Sequence, residues 1–182
     1  PNELTWHFMY KDVPQETIDF FYLEIFKLML SIYPDYKIVM LPQTYKSVIR
    51  DVDYFCKLKE KVQLNNIVVV DENQNSDIQQ QIIKNSEMVI GARYHSIVFA
   101  INNQVPFIAL SYEHKMIGLL EKLNISHCIV DIQELFTKGE DKEVKQALER
   151  IDFLLKNNFV GKSDFRKINK DAFSKLISNI AD

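Results

Sequence analysis

Two kinds of segment alternate along the chain. Short runs rich in β-branched and aromatic residues occur at Leu4–Tyr10, Lys37–Leu41, Asn66–Val70, Met88–Ile90, Pro106–Leu110 and His127–Val130. Between them, apolar residues recur at helical spacing. In Gln15–Ile32, the residues Ile18, Phe21, Tyr22, Ile25, Phe26, Leu28 and Met29 make one wide stripe, and Pro14 suits a helix start. The same spacing predicts helices over Asp51–Lys61, Asp77–Lys84 (capped by Ser76 or Asp77), Ser96–Asn103, His114–Leu123, Lys142–Leu155 and Lys167–Ile180. Asp71–Ser76 and Thr137–Asp141 read as polar loops.

Strands alternating with helices imply βαβ units. The expected fold is therefore α/β: a doubly wound, mainly parallel sheet with helices on both faces, Rossmann-like. Ile38-Val39-Met40-Leu41 and Ile67-Val68-Val69-Val70 are apolar at consecutive positions, which predicts strands covered on both faces. No repeat or linker interrupts the pattern, so the 182 residues read as a single domain. The two C-terminal helices read as a cap on the sheet or a tail toward a further domain.

Composition narrows the function. Hydrophobic residues make up 47% and charged residues 26%, which fits an ordinary globule and excludes a disordered chain. With 25 acidic against 22 basic residues, the net charge of -3 argues against a nucleic-acid partner, which needs a basic face. No apolar run approaches the roughly 18 residues of a membrane span, and no basic-plus-apolar leader opens the chain. The start at Pro1, without an initiator Met, suggests a piece of a longer polypeptide. The glycines Gly91, Gly118, Gly139 and Gly161 are too widely spaced for G-x-G-x-x-G or a P-loop. Cys56 and Cys128 each sit among apolar neighbours and read as buried free thiols of a reducing compartment rather than a bridge. No metal-ligand spacing, Ser-His-Asp order or close carboxylate pair stands out.

In open parallel sheets, ligands bind beyond the carboxyl ends of the strands, where the following helices begin. Two strand ends carry unusual polar sets. Gly91-Ala92-Arg93-Tyr94-His95-Ser96 follows Met88–Ile90, and Ser111-Tyr112-Glu113-His114-Lys115 follows Pro106–Leu110. Gly91 would let the backbone leave the strand sharply, and Ser96 is a candidate N-cap. The free N–H groups of such a helix start favour an anion. Arg93 adds a bidentate fork for carboxylate or phosphate, and His95 a proton that exchanges near neutral pH. The bland alternative stays open at this point: Arg93 paired with a surface acid and His95 capping a carbonyl. His7 and His127 read as packed strand residues, and His114 as a helix-start or solvated residue. Gln43, in Leu41-Pro42-Gln43-Thr44, either reaches a ligand hydroxyl or is an exposed turn amide. Tyr45, Tyr54 and the phenylalanines read as core.

The stretch Met88–Leu123 resembles the signature of the polysaccharide pyruvyl transferase family: a strand, G-x-R-x-H, an apolar helix with Phe-Ala, a Val-Pro strand, Ser-Tyr-x-x-K, and a helix with Gly before a Leu-rich end. The matching residues are Gly91, Arg93, His95, Phe99, Ala100, Val105, Pro106, Ser111, Tyr112, Lys115 and Gly118. More weakly, Leu41-Pro42-Gln43-Thr44 and Asp77–Ser86 resemble the preceding family segments. One departure stands out: the family carries a small or Leu-like residue before the His, and this chain carries Tyr94.

The resemblance implies the C-terminal half of a two-domain enzyme of GT-B type, with its active site in a cleft facing an N-terminal half of the same polypeptide. It implies transfer of a pyruvate ketal from phosphoenolpyruvate, the donor substrate, onto two hydroxyls of a sugar or lipid-linked saccharide in envelope or exopolysaccharide synthesis. The catalytic residue expected is His95, and the substrate-binding residues are Arg93, Ser96, Lys115, Tyr112 and Gln43. No metal and no further cofactor are expected, and the location implied is the cytoplasm or the inner face of the membrane. Two other readings compete: a GT-B glycosyltransferase that uses a nucleotide sugar, with Gln43 or Tyr112 near the base, and a non-catalytic scaffold module.

Overall fold

The computed structural model describes residues 13–43, 51–62, 65–70, 74–138 and 141–157. The strand expected at Leu4–Tyr10, with His7, the helix expected at Lys167–Ile180, and Tyr45 lie outside the described residues. The chain divides into two compact units. Of the described residues, the first unit takes those up to Gln74 and Glu134–Leu155, and the second takes Asn75–Gln133 with Lys156 and Asn157.

The first unit opens with α1 (Gln15–Ile32), whose bounds match those read from its apolar stripe. Pro14 stands at the N-cap, and Ile18, Phe21, Tyr22, Ile25 and Phe26 are buried, while Leu28 and Met29 at the stripe's end are half-buried. β1 (Ile38–Met40), α2 (Asp51–Val62) and β2 (Ile67–Val69) follow, and helix α2 packs on β2. Strands β1 and β2 run parallel with Ile38 opposite Ile67 and Val39 opposite Val68. Ile38, Met40 and Ile67 are buried, but Val39 and Val68 are 44% and 41% exposed, so these strands are not covered on both faces as expected. Consecutive apolar residues do not distinguish a doubly covered strand from a short one with an open face.

A polar knot ties α1 to α2. The Asp19 carboxylate is buried and accepts hydrogen bonds from Gln15 Nε2 at 2.9 Å and Tyr54 Oη at 2.9 Å, and it pairs with Lys61. Burial alone would raise the Asp19 pKa, but hydrogen bonds from Lys61, Gln15 and Tyr54 and the Lys61 charge outweigh it and hold it below its ordinary value. Burial, with Tyr22 and Asp19 alongside, pushes Tyr54 far up, so it remains a protonated donor. Tyr22 meets the Tyr54 ring edge-on at 6.3 Å.

The second unit repeats one pattern: α3 (Ser76–Lys84), β3 (Val89–Gly91), α4 (Tyr94–Asn102), β4 (Phe107–Ser111), α5 (His114–Lys122) and β5 (Ile129–Asp131). Its sheet has the order β3-β4-β5, all parallel, with Gly91 opposite Ala109 and Ser111 opposite Asp131. All five residues of β4 are buried, as befits a central strand. α4 packs on β3 and β4, and α5 packs on β4. The mixed α/β architecture with parallel strands and surrounding helices is the one that the alternating pattern predicts.

Several local expectations shift. Asn75 rather than Ser76 or Asp77 caps α3, its side chain accepting from Ile78 N at 3.0 Å. α4 starts two residues before Ser96. His127 lies exposed in a 3-10 turn (Ser126–Cys128) instead of packed in a strand. A helix not anticipated, α6 (Gln133–Lys138), takes up Thr137 and Lys138 of the expected loop; α7 (Asp141–Asn157) follows. Cys128 is a buried thiol as expected, but Cys56 is exposed.

Two matching turns launch β4 and β5. After α4, Gln104 adopts φ 55° and Val105 N donates to Ala100 O at 2.9 Å; after α5, Asn124 adopts φ 56° and Ile125 N donates to Leu120 O at 3.0 Å. Both are Schellman ends, with the buried Val105 and Ile125 supplying the apolar contact. Asn tolerates this backbone, whereas Gln holds it at a cost. Gln104→Gly should therefore stabilise the chain by about 0.5–1 kcal/mol in urea unfolding.

The Asp19 knot yields a prediction with a pH signature. A carboxylate whose folded pKa is depressed contributes stability above its unfolded pKa and loses it as pH falls through the folded value. Asp19→Asn should cost about 1–3 kcal/mol at pH 7, and the gap to wild type should narrow below about pH 4 in chemical-denaturation curves.

Candidate active site

Parallel pairing brings the carboxyl ends of β3, β4 and β5 to one edge of the second unit's sheet. At the first of these ends the chain passes through Ala92 and Arg93 into α4. Arg93 is the N-cap residue, with φ -96° and ψ 137°. Its carbonyl accepts from Ser96 Oγ at 2.7 Å and from Ile97 N at 3.4 Å. The expected cap role of Ser96 is therefore not found: Ser96 is the third helical residue, buried, and its hydroxyl is turned back onto the loop.

Gly91 explains how the turn closes. Its φ is not in the left-handed region, and it is the last residue of β3, so conformational freedom is not its contribution. A Cβ there would overlap Ser96 Oγ and lie 3.0 Å from Ile97 Cδ1. The missing side chain is the room into which the first turn of α4 descends.

At the second strand end, Ser111 is fully buried and its Oγ donates to Glu113 O at 3.0 Å, folding the turn before α5. Glu113 occupies the N-cap position and His114 is the first, exposed residue of α5. Neither α4 nor α5 has a side-chain cap bond or an acidic residue in its first turn. The positive end of α4 is thus not offset by an acidic side chain of its own, whereas Glu113 places a carboxylate at the start of α5.

The titratable residues cluster around these turns. Arg93 is half-buried; burial pulls its pKa below the usual arginine value, while Tyr112 and Glu113 on the neighbouring turn act in the opposite sense. Lys115 Nζ lies over the Tyr94 ring, 4.4 Å from its centroid. Tyr94 meets the His95 ring edge-on at 6.1 Å, and His95 lies 6.5 Å from the Phe99 ring. His95 and Lys115 are exposed, and Tyr94 and Tyr112 half-buried. Of the expected site residues, Arg93, His95, Ser96, Tyr112 and Lys115 belong to these two adjacent turns. Gln43 belongs to the first unit, half-buried, its backbone N donating to Asp51 Oδ2 at 3.1 Å and its side-chain amide to Pro42 O at 3.4 Å.

Two features escaped the sequence reading. Tyr94 was visible only as a departure from a family pattern, yet it is the ring that Lys115 and His95 share. The third strand end also turns directly into a helix, Asp131 Oδ1 accepting from Gln133 N at 2.9 Å. An Asp two residues before a helical run was the available signal. Among the described residues, no group of three or more His, Cys, Asp or Glu side chains is placed to hold a metal.

Such an edge can hold a small anion and exchange a proton with it: two cations, an imidazole, and two helix starts. A sequence model of the polysaccharide pyruvyl transferase family matches residues 4–114. The chain belongs to that family. The match takes in the Gly91–Ser96 turn and ends one residue before Lys115. Among curated proteins, the amylovoran biosynthesis protein AmsJ of Erwinia amylovora is 31% identical over 85 residues. That stretch is 47% of this chain but 20% of the relative, so the chain spans only a small part of that protein. No solved structure matches the chain. Within the described residues, no helix is long and apolar enough to cross a membrane.

The fit of α4 onto β3 gives a stability test. Gly91→Ala should cost about 1–3 kcal/mol by overpacking, read as a lower urea midpoint. Adding Ser96→Ala, which removes the Oγ, should return part of that loss, a non-additivity that independent sites would not show.

Proposed function

We propose that this chain carries the donor-handling site of a transferase that moves a pyruvyl unit from phosphoenolpyruvate onto a saccharide diol. The observation that carries the reading is the placement of Arg93, His95 and Lys115 on two adjacent strand-to-helix turns at one sheet edge. Membership of the family supports a transferase, and the likeness to AmsJ supports a role in exopolysaccharide synthesis.

The chemistry assigns each group a task. The donor carries a carboxylate and a phosphate, and Arg93 and Lys115 are the cations for them. Partial burial of Arg93 strengthens its pull on an anion relative to a fully hydrated charge. Protonated His95 gives its proton to the methylene carbon of the enol, leaving an oxocarbenium-like centre at the carbon that bears the phosphate. One sugar hydroxyl adds there and gives its proton to the neutral imidazole. The C–O bond to phosphate breaks, the second hydroxyl closes the ketal, and its proton leaves with the phosphate. The start of α4, with no side-chain cap and no acidic residue in its first turn, favours the departing anion. Tyr112, on the neighbouring turn, acts electrostatically on Arg93. Ser96 contributes by holding the Arg93 turn rather than by capping the helix.

We further propose that turnover needs a second α/β half to bring the acceptor and exclude water, whereas weak donor binding is local to this chain.

Calorimetric titration of the 182-residue chain with phosphoenolpyruvate, beside UDP- and GDP-sugars, tests the reading. Phosphoenolpyruvate should bind, more weakly as salt is raised, and Arg93→Ala should lower its affinity by roughly tenfold or more. His95→Ala should leave that affinity nearly unchanged and, in the full-length polypeptide with a diol acceptor, slow phosphate release by about 100-fold or more. Tight binding of a nucleotide sugar without any response to phosphoenolpyruvate would overturn the proposal.

A further inference from the structure

The residue between Arg93 and His95 does more than fill space. Tyr94 begins α4, and Lys115 lies in the first turn of α5, on the next strand end. Lysine is the most mobile of the common cations, with four rotatable bonds and no planar head to register it. An exposed lysine at a helix start would ordinarily sweep a wide volume of water. Here its ammonium sits 4.4 Å from the centroid of the Tyr94 ring, within the range at which a cation is attracted to an aromatic face. The same ring meets His95 edge-on at 6.1 Å, and the Phe99 ring, one helical turn further, lies 6.5 Å from the imidazole. One aromatic ring therefore touches both the cation from the second turn and the imidazole from the first.

We propose that Tyr94 is a positioning residue: its ring face parks the Lys115 ammonium, and its edge orients the His95 imidazole, so that cation and proton donor are held at a set separation. The role rests on the donor-site reading above, with Lys115 as an anion partner and His95 as the acid. The ring face supplies the contact, and the phenol hydroxyl is dispensable to it. A Leu at this position, of the kind the family pattern carries, offers no π face, so a chain with Leu here must hold its lysine in some other way.

The test uses Tyr94→Phe and Tyr94→Leu in the 182-residue chain, with two independent readouts. The first is the NMR shift of the Lys115 ε-methylene protons, which lie over an aromatic face and should be moved upfield in the wild type and in Tyr94→Phe, and return toward the free-lysine position in Tyr94→Leu. The second is calorimetric affinity for phosphoenolpyruvate, which should fall about two- to fivefold in Tyr94→Leu, the size of one exposed cation–π contact, and stay within about twofold of wild type in Tyr94→Phe. Loss of both signals in Tyr94→Leu with retention in Tyr94→Phe supports the role. An unshifted lysine in the wild type overturns it, as does an affinity indifferent to Tyr94→Leu or an equal loss in both variants. If the wild type shows the upfield lysine but binds no phosphoenolpyruvate, the donor reading fails, and the positioning role built on it fails with it, while the Tyr94–Lys115 contact itself stands. A Tyr94→Leu chain that merely loosens is recognised because other resonances of α4 and α5 would move along with Lys115.

Discussion

A parallel sheet places every strand end on one side, and the use made of that edge depends on how steeply the following helix can turn back. At β3 the constraint is steric. The first turn of α4 comes down onto the last residue of the strand so closely that a Cβ on Gly91 would occupy the space of Ser96 Oγ. Because Gly91 leaves that space open, Ser96 can bury its hydroxyl against the Arg93 carbonyl, and the loop between strand and helix shortens to Ala92 and Arg93. This tight turn holds Arg93 at the helix start with its guanidinium half-buried, and it sets Tyr94 and His95 in the first helical turn. Ser111 on the next strand does a comparable thing by a different means, turning its buried hydroxyl onto the Glu113 carbonyl two residues on. Register then does the rest, since Gly91 opposite Ala109 brings the two turns side by side.

The electrostatics of the edge follow from the same packing. The two cations differ in kind. Arg93 is partly desolvated, a rigid fork whose charge is disfavoured by burial and favoured by Glu113 and Tyr112 across the gap between turns. Lys115 is exposed, and among the described residues its ammonium rests on an aromatic face rather than on a carboxylate. A cation held by a ring keeps its charge unneutralised and remains available to an incoming anion, which a lysine locked in an ion pair does not. The contrast with Asp19 and Lys61 in the first unit is instructive. There, a buried carboxylate collects three donors, and the result is a structural tie between α1 and α2 rather than a reactive edge.

For the described residues, the sequence by itself determined the order of strands and helices apart from α6, because hydrophobic spacing reports local geometry directly. The stripe of α1 carried its bounds without error, and the alternation of β-rich runs with helical stretches was enough to establish parallel α/β architecture. The polar sets after β3 and β4 were also legible, since a strand end followed by a helix start is where such folds place chemistry, and the ordered residues from Gly91 to Gly118 carried the family. Tertiary structure decided what neighbours across the fold do to each residue. Spacing suggested Gly91 for its flexibility, whereas contact with α4 shows that its role is room. Ser96 looked like a cap until Arg93 was found to occupy that position. Val39 and Val68 read as doubly buried, but their exposure depends on which strands and helices meet them, information that a run of apolar letters does not contain. The pairing of Lys115 with Tyr94 was equally invisible, since twenty-one positions separate them along the chain and only the register of two parallel strands brings their helices together. Local pattern encodes which element a residue joins; the energy of a site depends on contacts between elements, and those exist only once the sheet has closed.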